Sequence, residues 1–271
     1  METAQTVGGQ FGGVTIADFV LLLAGGIILG KWLLNTSFGT RALIYSDLRA
    51  NDMPIYTPFI PLFVWYGGAF VMAAFIETYI EEPSRMQQTL IINISMCISG
   101  FAAMIVILIL AARHFRHKLR GFGLDFSTLR KDIPASIINL LGIWPLVAIA
   151  LMATILGGKI IWGENFQIQQ HEELQMLSRY TDTTLRAVIL VLATIIIPVF
   201  EELLFRGMFQ TTIKNSLQRP WLSITLASVL FAVMHANTAH WPALFVLSMG
   251  IGYSYEKSGS LFRPIIIHGI F

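Results

Sequence analysis

Apolar residues fall along this chain in long runs broken by short polar stretches. Three runs fill the first half, from Val14 to Leu34, from Phe59 to Tyr79 and from Leu90 to Ala112, and a fourth extends from Pro134 to Leu156. A hydrocarbon layer ~30 Å thick needs ~20 apolar residues at ~1.5 Å each, so each of the four predicts a membrane-crossing helix. After a polar stretch come Leu185 to Phe200, Leu222 to His235, Trp241 to Tyr255, and an eighth run opening at Pro264. These later runs are shorter or carry polar residues that a lipid-facing helix would avoid. They predict the inner helices of a bundle, with the early spans packed around them. The expected fold is all-α, a polytopic transmembrane helical bundle of about eight spans with the last one cut short. Residues 1–133 would supply N-terminal spans and a basic inner loop, and residues 134–271 the functional core. Gly25 with Gly26, and Gly67 with Gly68, would let neighbouring helices approach closely. Pro58, Pro61 and Pro83 read as residues that start helices. The N-terminus has neither the charged flank nor the small-residue cleavage site of a signal peptide, so the first run is expected to be kept.

Composition narrows the class. Hydrophobic residues make up 55% of 271 residues and charged residues 13%, about half the charged share of a soluble domain. That excludes a soluble enzyme, a disordered tail protein and a nucleic-acid binder, and a net charge of +2 is too small for polyanion binding. The single cysteine, Cys97, excludes an internal disulfide and any multi-cysteine metal site.

Basic residues also set a direction, because Lys and Arg are enriched in cytoplasmic loops. Lys31, Arg41, Arg49, the Arg113-to-Lys131 cluster, Arg206, Lys214, Arg219, Lys257 and Arg263 fall on one side. Only Arg85, Lys159, Arg179 and Arg186 fall on the other, with Glu77, Glu81, Glu82, Glu164, Glu172, Glu173 and Asp182. The N-terminus is therefore predicted outside and the loop from Arg113 to Asp132 inside.

An ionisable residue within a span costs roughly 2.5–3.5 kcal/mol on insertion scales and so needs a partner or a function. Glu201 and Glu202 end the fifth apolar run, in Ile-Pro-Val-Phe-Glu-Glu-Leu-Leu-Phe-Arg-Gly. Arg206 lies at the i,i+4 spacing that puts it on the face of Glu202, which leaves Glu201, about 100° away, free to work. His235 closes Phe231-Ala-Val-Met-His, where hydrogen bonding to a carbonyl would suffice to explain a lone histidine. His268 follows three isoleucines, where packing gives it no reason to be. Other groups fare worse. His171-Glu172-Glu173-Leu174-Gln175 has only half of a zinc-protease spacing, because Gln175 stands where the second histidine should be. His114 and His117 sit among arginines, and His240 stands beside Trp241 in a short turn; none is assigned chemistry.

A carboxylate and two histidines held away from bulk water suit activation of one water molecule. The carboxylate would act as general base, one imidazole would orient the water, and the other would donate to the oxyanion. The same three side chains, Glu201, His235 and His268, could instead hold one divalent metal such as zinc. Spacing does not separate the two. No serine stands in a nucleophile-elbow context and Cys97 has no basic neighbour, which disfavours nucleophilic catalysis.

Glu201-Glu202-x-x-x-Arg206, Phe231-x-x-x-His235 and His268, in this order on successive helices, resemble the CPBP family. This is the CAAX-protease and bacteriocin-processing group of intramembrane proteases, also called Abi. The resemblance covers roughly Leu185 to the C-terminus; in the first half only the spans and Gly121-Phe122-Gly123-Leu124 are similar. It implies Glu201 as the water-activating base, and His235 as its water-positioning or metal-binding partner. It implies His268 as transition-state stabiliser or second metal-binding histidine, with Glu202, Arg206 and Phe231 in support. The family's final asparagine would fall one position beyond Phe271, and the sequence is expected to be truncated there. The implied activity is an endopeptidase of the bacterial inner membrane. Its substrates would be proteins or peptides, including lipid-modified ones, and its surroundings membrane lipids. The alternative is a non-catalytic membrane protein for bacteriocin immunity or peptide binding, and a third, weaker reading is a transporter with a Glu201–His235 proton relay.

Overall fold

The computed structural model describes residues 15–46, 49–80, 84–168 and 182–271. Their regular structure is helical: α1 Ile16–Asn35, α2 Phe59–Glu77, α3 Arg85–His114, the short α4 Lys118–Phe122, and α5 Leu129–Trp162. A single continuous helix, α6, runs Thr183–Leu217, followed by α7 Pro220–Val233, α8 Trp241–Ser258 and α9 Phe262–Ile270. Each expected apolar run becomes a helix. Five of them, α1, α2, α3, α5 and α6, are long and apolar enough to cross a membrane, so the chain is an integral membrane protein. Against the expected eight spans, α7, α8 and α9 do not meet that standard; α7 has 14 residues and α9 only 9.

The largest departure lies in α6. Hydropathy ends that run at Phe200, yet the helix continues through Glu201, Glu202, Arg206 and Lys214 to Leu217. The polar residues continue the helix because they are paired inside the protein. Arg206 and Lys214, counted above among loop cations, are 1% and 2% exposed. Two stretches of α6, Leu192–Ile196 and Leu203–Gln210, are wound as π-helix. Such wide turns are rare and occur mostly at functional sites.

Helix α8 lies along α6 and runs the same way. Arg206 meets Ser248, Gln210 meets Gly252, and Lys214 meets Glu256, each pair 42 residues apart. Four-residue steps on both helices keep one polar face against the other, so the Arg206, Gln210 and Lys214 donors each meet an acceptor on α8 in a medium that offers no water. Gly252 makes the contact close, since a Cβ there would lie 2.8 Å from Gln210 Oε1.

Helices α7 and α9 complete the inner group, α7 against α6 and α8, and α9 against α5, α6 and α8. Helix α5 backs α8 and α9 with α1 outside it, while α2 pairs with α3, which touches the π-wound part of α6. Only one glycine of each pair makes the expected close approach. Gly25 packs on the Leu141 carbonyl and the Pro145 ring; Pro145 has no N–H to offer that carbonyl four residues back. Gly68 faces Ser99, whereas Gly26 and Gly67 meet no neighbouring helix. Pro58 caps α2 and Pro61 lies in its first turn. Pro83, Glu81, Glu82, Arg179 and the 171–175 segment lie outside the described residues.

The start of α9 is fixed by three bonds. Arg263 Nε donates to Asp132 Oδ1 of α5 (2.6 Å), Leu261 N–H donates to the Gly123 carbonyl (2.9 Å), and Tyr255 hydroxyl donates to Phe122 O (3.1 Å). Gly123 closes α4 at φ +114°, and a Cβ there would meet Gly259 O at 2.9 Å, so only glycine fits.

The Lys214–Glu256 pair, 3% and 1% exposed at the side chain, gives a prediction. Removing one partner of a buried pair strands the other charge, at a cost of about 3–5 kcal/mol. Glu256→Ala is therefore expected to lower the thermal unfolding midpoint of the detergent-purified protein sharply. A midpoint within a degree or so of wild type would contradict this account of the α6–α8 seam.

Candidate active site

The polar ladder of α6 ends in a cluster at Glu202. Its Oε1 accepts from Arg206 Nη1 (2.9 Å) and from His268 Nδ1 (2.8 Å). Arg206 Nη2 donates onward to Ser248 Oγ (2.8 Å) and Ser248 O (3.2 Å). Glu202 and Arg206 are 0% and 1% exposed, so their attraction is little screened by solvent. The i,i+4 pair anticipated from sequence is thus present. Sequence spacing did not reveal that His268, 66 residues away, shares the same carboxylate oxygen, nor that Ser248 holds the guanidinium.

Phe231 organises the space between. It is fully buried, with the Arg206 guanidinium carbon 4.9 Å from its ring centroid. The His235 and His268 rings lie 4.8 and 5.6 Å from it, centroid to centroid. A cation over an aromatic face is attracted by the ring quadrupole, so Phe231 holds three members of the cluster at once.

Both histidines have one ring nitrogen committed. Glu202, paired with Arg206, can only accept, so His268 Nδ1 carries the proton it shares with that carboxylate. The Phe231 carbonyl, 2.8 Å from His235 Nδ1, fixes the same tautomer there. This is the carbonyl bond expected of a lone helix-end histidine. The His235 backbone is also held, its carbonyl accepting from Trp241 Nε1 (2.8 Å). The Nε2 atoms are left for other work. His268 Nε2 lies 3.6 Å from Glu201 Oε2, and both imidazoles are within electrostatic reach of Glu201. Like Oε2 of Glu202, Glu201 Oε2 is buried and has no hydrogen-bond partner. A buried acceptor without a partner is costly, and here it faces an imidazole nitrogen across a gap wider than a direct bond. The structure thus brings Glu201, Glu202, Arg206, Phe231, His235 and His268 together from α6, α7, α9 and the residues just after α7.

The donor types would suit zinc, since imidazoles whose Nδ1 is tied to an oxygen commonly present Nε2 to a metal. The arrangement does not. Among the described residues no three His, Cys, Asp or Glu side chains converge closely enough to hold an ion. Glu201, His235 and His268 do not form a metal cage as they stand.

His114 Nδ1 meets Asp52 Oδ1 at 2.8 Å on an exposed face, and His240 is buried in the short turn before α8.

Residues 183–271 match the Rce1-like family, described as type II CAAX prenyl endopeptidase, Rce1-like. That stretch contains α6 to α9 and all six clustered residues. No curated protein and no solved structure matches the chain.

Gly269, beside His268, packs so closely on the Thr194 carbonyl of the first π-wound stretch that a Cβ would collide with it. Gly269→Val is expected to shift α9 off α6 and move His268. Misplacement by about 1 Å costs on the order of 100-fold in rate. Turnover at the wild-type level, in a variant whose helical circular dichroism is unchanged, would show that this contact does not set the position of His268.

Proposed function

We propose that this protein is an intramembrane endopeptidase that hydrolyses a peptide bond near the cytoplasmic face, on substrates such as the C-terminal tails of lipid-modified proteins. The observation that carries the reading is the unpartnered Oε2 of Glu201 facing Nε2 of His268. The family matched by residues 183–271 supports the reaction type.

The charges of the cluster suit this chemistry. Two carboxylates face one guanidinium, and one proton held between Glu201 and His268 brings the group to neutrality. With that proton on His268, Glu201 is a free carboxylate and can take a proton from water as the water attacks the carbonyl carbon. His235 orients the water through Nε2. His268, held by Glu202, donates towards the oxygen on which negative charge develops. Collapse of the tetrahedral intermediate breaks the C–N bond, and the proton gained by Glu201 passes to the leaving amine. Arg206 and His268 share Glu202 Oε1, so that Glu202 holds the imidazole and does not compete with Glu201 as base.

Glu201→Ala and His268→Ala are each expected to abolish cleavage of a farnesylated Cys-a-a-X peptide in detergent, by on the order of 1,000-fold or more, while inserting and folding as wild type does. Cleavage retained by Glu201→Ala would remove Glu201 as the base. Metal content is to be measured on the same samples. Stoichiometric metal, with activity lost on chelation and restored on readdition, would overturn the metal-free version of the step.

A further inference from the structure

Helix α2 lies outside the segment that matches the family, yet it reaches the cluster. Two ring contacts fix its register against α6. Phe59 meets Phe209 edge-on at 5.3 Å, and Trp65 meets Phe200 edge-on at 4.7 Å. Numbers rise along α2 as they fall along α6, so the helices run antiparallel; the residue after Trp65 and the residue after Phe200 then lie on the same side of the seam, about 3 Å apart along it at ~1.5 Å per residue. Those residues are Tyr66 and Glu201. The phenol and the carboxylate lie within electrostatic reach of each other.

Tyr66 differs from its neighbours in what it does not do. Trp65 is occupied, donating its Nε1 to Met96 O (3.3 Å) and packing on Phe200. The Tyr66 hydroxyl makes no hydrogen bond to any described residue, and 44% of the residue is exposed. A tyrosine at a membrane interface needs no further explanation, because amphipathic rings gather at headgroup level. The interfacial positions flanking α2 are already taken by Tyr56 and Tyr79, just outside its two ends. Tyr66 lies well inside the helix, where an idle hydroxyl is costly.

We infer that Tyr66 is a further catalytic residue, whose phenol donates a hydrogen bond to the scissile carbonyl oxygen beside the donor supplied by His268. The inference rests on the hydrolytic reading of the site. As Glu201 takes the proton from water, the hydroxide oxygen bonds to the carbonyl carbon and the carbonyl π electrons move onto oxygen. The phenol stabilises that oxygen without transferring its own proton. When the C–N bond breaks, those electrons re-form the carbonyl, the proton on Glu201 passes to nitrogen, and Tyr66 is unchanged. A substrate carbonyl would then sit between α2 on one side and α6 with α9 on the other.

Two measurements test this. In a Cys97→Ser background, Tyr66→Cys combined with Glu201→Cys is expected to be bridged by a short bifunctional thiol reagent in membranes, and Val71→Cys with Glu201→Cys is not. Failure of the 66–201 pair to cross-link, or equal cross-linking by the 71–201 pair, overturns the placement. On a quenched fluorogenic peptide ending in farnesylated Cys-a-a-X, Tyr66→Phe should lower kcat on the order of 100- to 1,000-fold, as loss of an oxyanion donor does, with KM little changed. A packing role would instead lower the unfolding midpoint and leave kcat near wild type, which overturns the assignment. Glu201→Ala in the same assay separates the two readings. If it cleaves normally, the hydrolytic site itself is wrong. If it is inactive while Tyr66→Phe keeps full kcat, only Tyr66 is wrong.

Discussion

The buried pair of Glu202 and Arg206 is the interaction on which the rest of the site depends. Neither charge could stay at this depth alone, and each has more than one partner: Glu202 takes His268 as well, and Arg206 takes both Ser248 oxygens and the Phe231 face. The consequence is positional. Four helical segments are tied to one carboxylate and one guanidinium within bonding distance, so the geometry of α6, α7, α8 and α9 is set from the inside. Outer helices α1 and α2 expose most of their apolar side chains, as a lipid-facing shell should.

The pair also divides labour between two adjacent carboxylates. Glu202 is spent on Arg206 and His268, which leaves it no capacity as a base. Each of the two acids keeps one buried, unpartnered oxygen, Oε2. The two adjacent acids thus have unequal surroundings: Glu202 accepts two hydrogen bonds at Oε1, and Glu201 accepts none from a described residue. The polar ladder beyond them extends the same logic to the end of α6. Gln210 and Lys214 are anchored to α8 in the same register, so the helix that bears Glu201 cannot turn without breaking contacts along its length.

Much of this was legible in the sequence, for specific reasons. Apolar runs located every long helix, because membrane depth imposes length. The spacing of Glu202 and Arg206 announced their bond, because four residues is one helical turn. His268 stood out because nothing apolar explains it. The extent of α6 was not legible. Hydropathy reads Glu201 to Lys214 as a loop, since it scores each charge as if it faced solvent, and the partners that neutralise those charges, Ser248 and Glu256, lie 42 positions on. Counting Arg206 and Lys214 as loop cations followed from the same blindness. Five helices have the length and apolarity of a crossing segment, while α7 and α9 are shorter, each with one face packed on other helices and the other open at residues such as Leu226, Val229 and Ile270.

The π-wound stretch Leu203–Gln210 has a consequence for how this sequence can change over time. A π turn holds more residues than an α turn, so the segment keeps extra chain in place with every residue buried. Loss of a single residue there can be absorbed, because rewinding the wide turns as ordinary α-helix takes up the missing residue and leaves both ends of α6 near their places. Loss of one from the α-wound turn Thr211–Leu217 has no such reserve, and each residue beyond it would swing by about 100°. Lys214 would then leave the face of α8 while Glu201 and Glu202 stayed where they are. Lineages carrying this helix should therefore place changes of length, where they occur, inside the wide turns and not between them and Lys214.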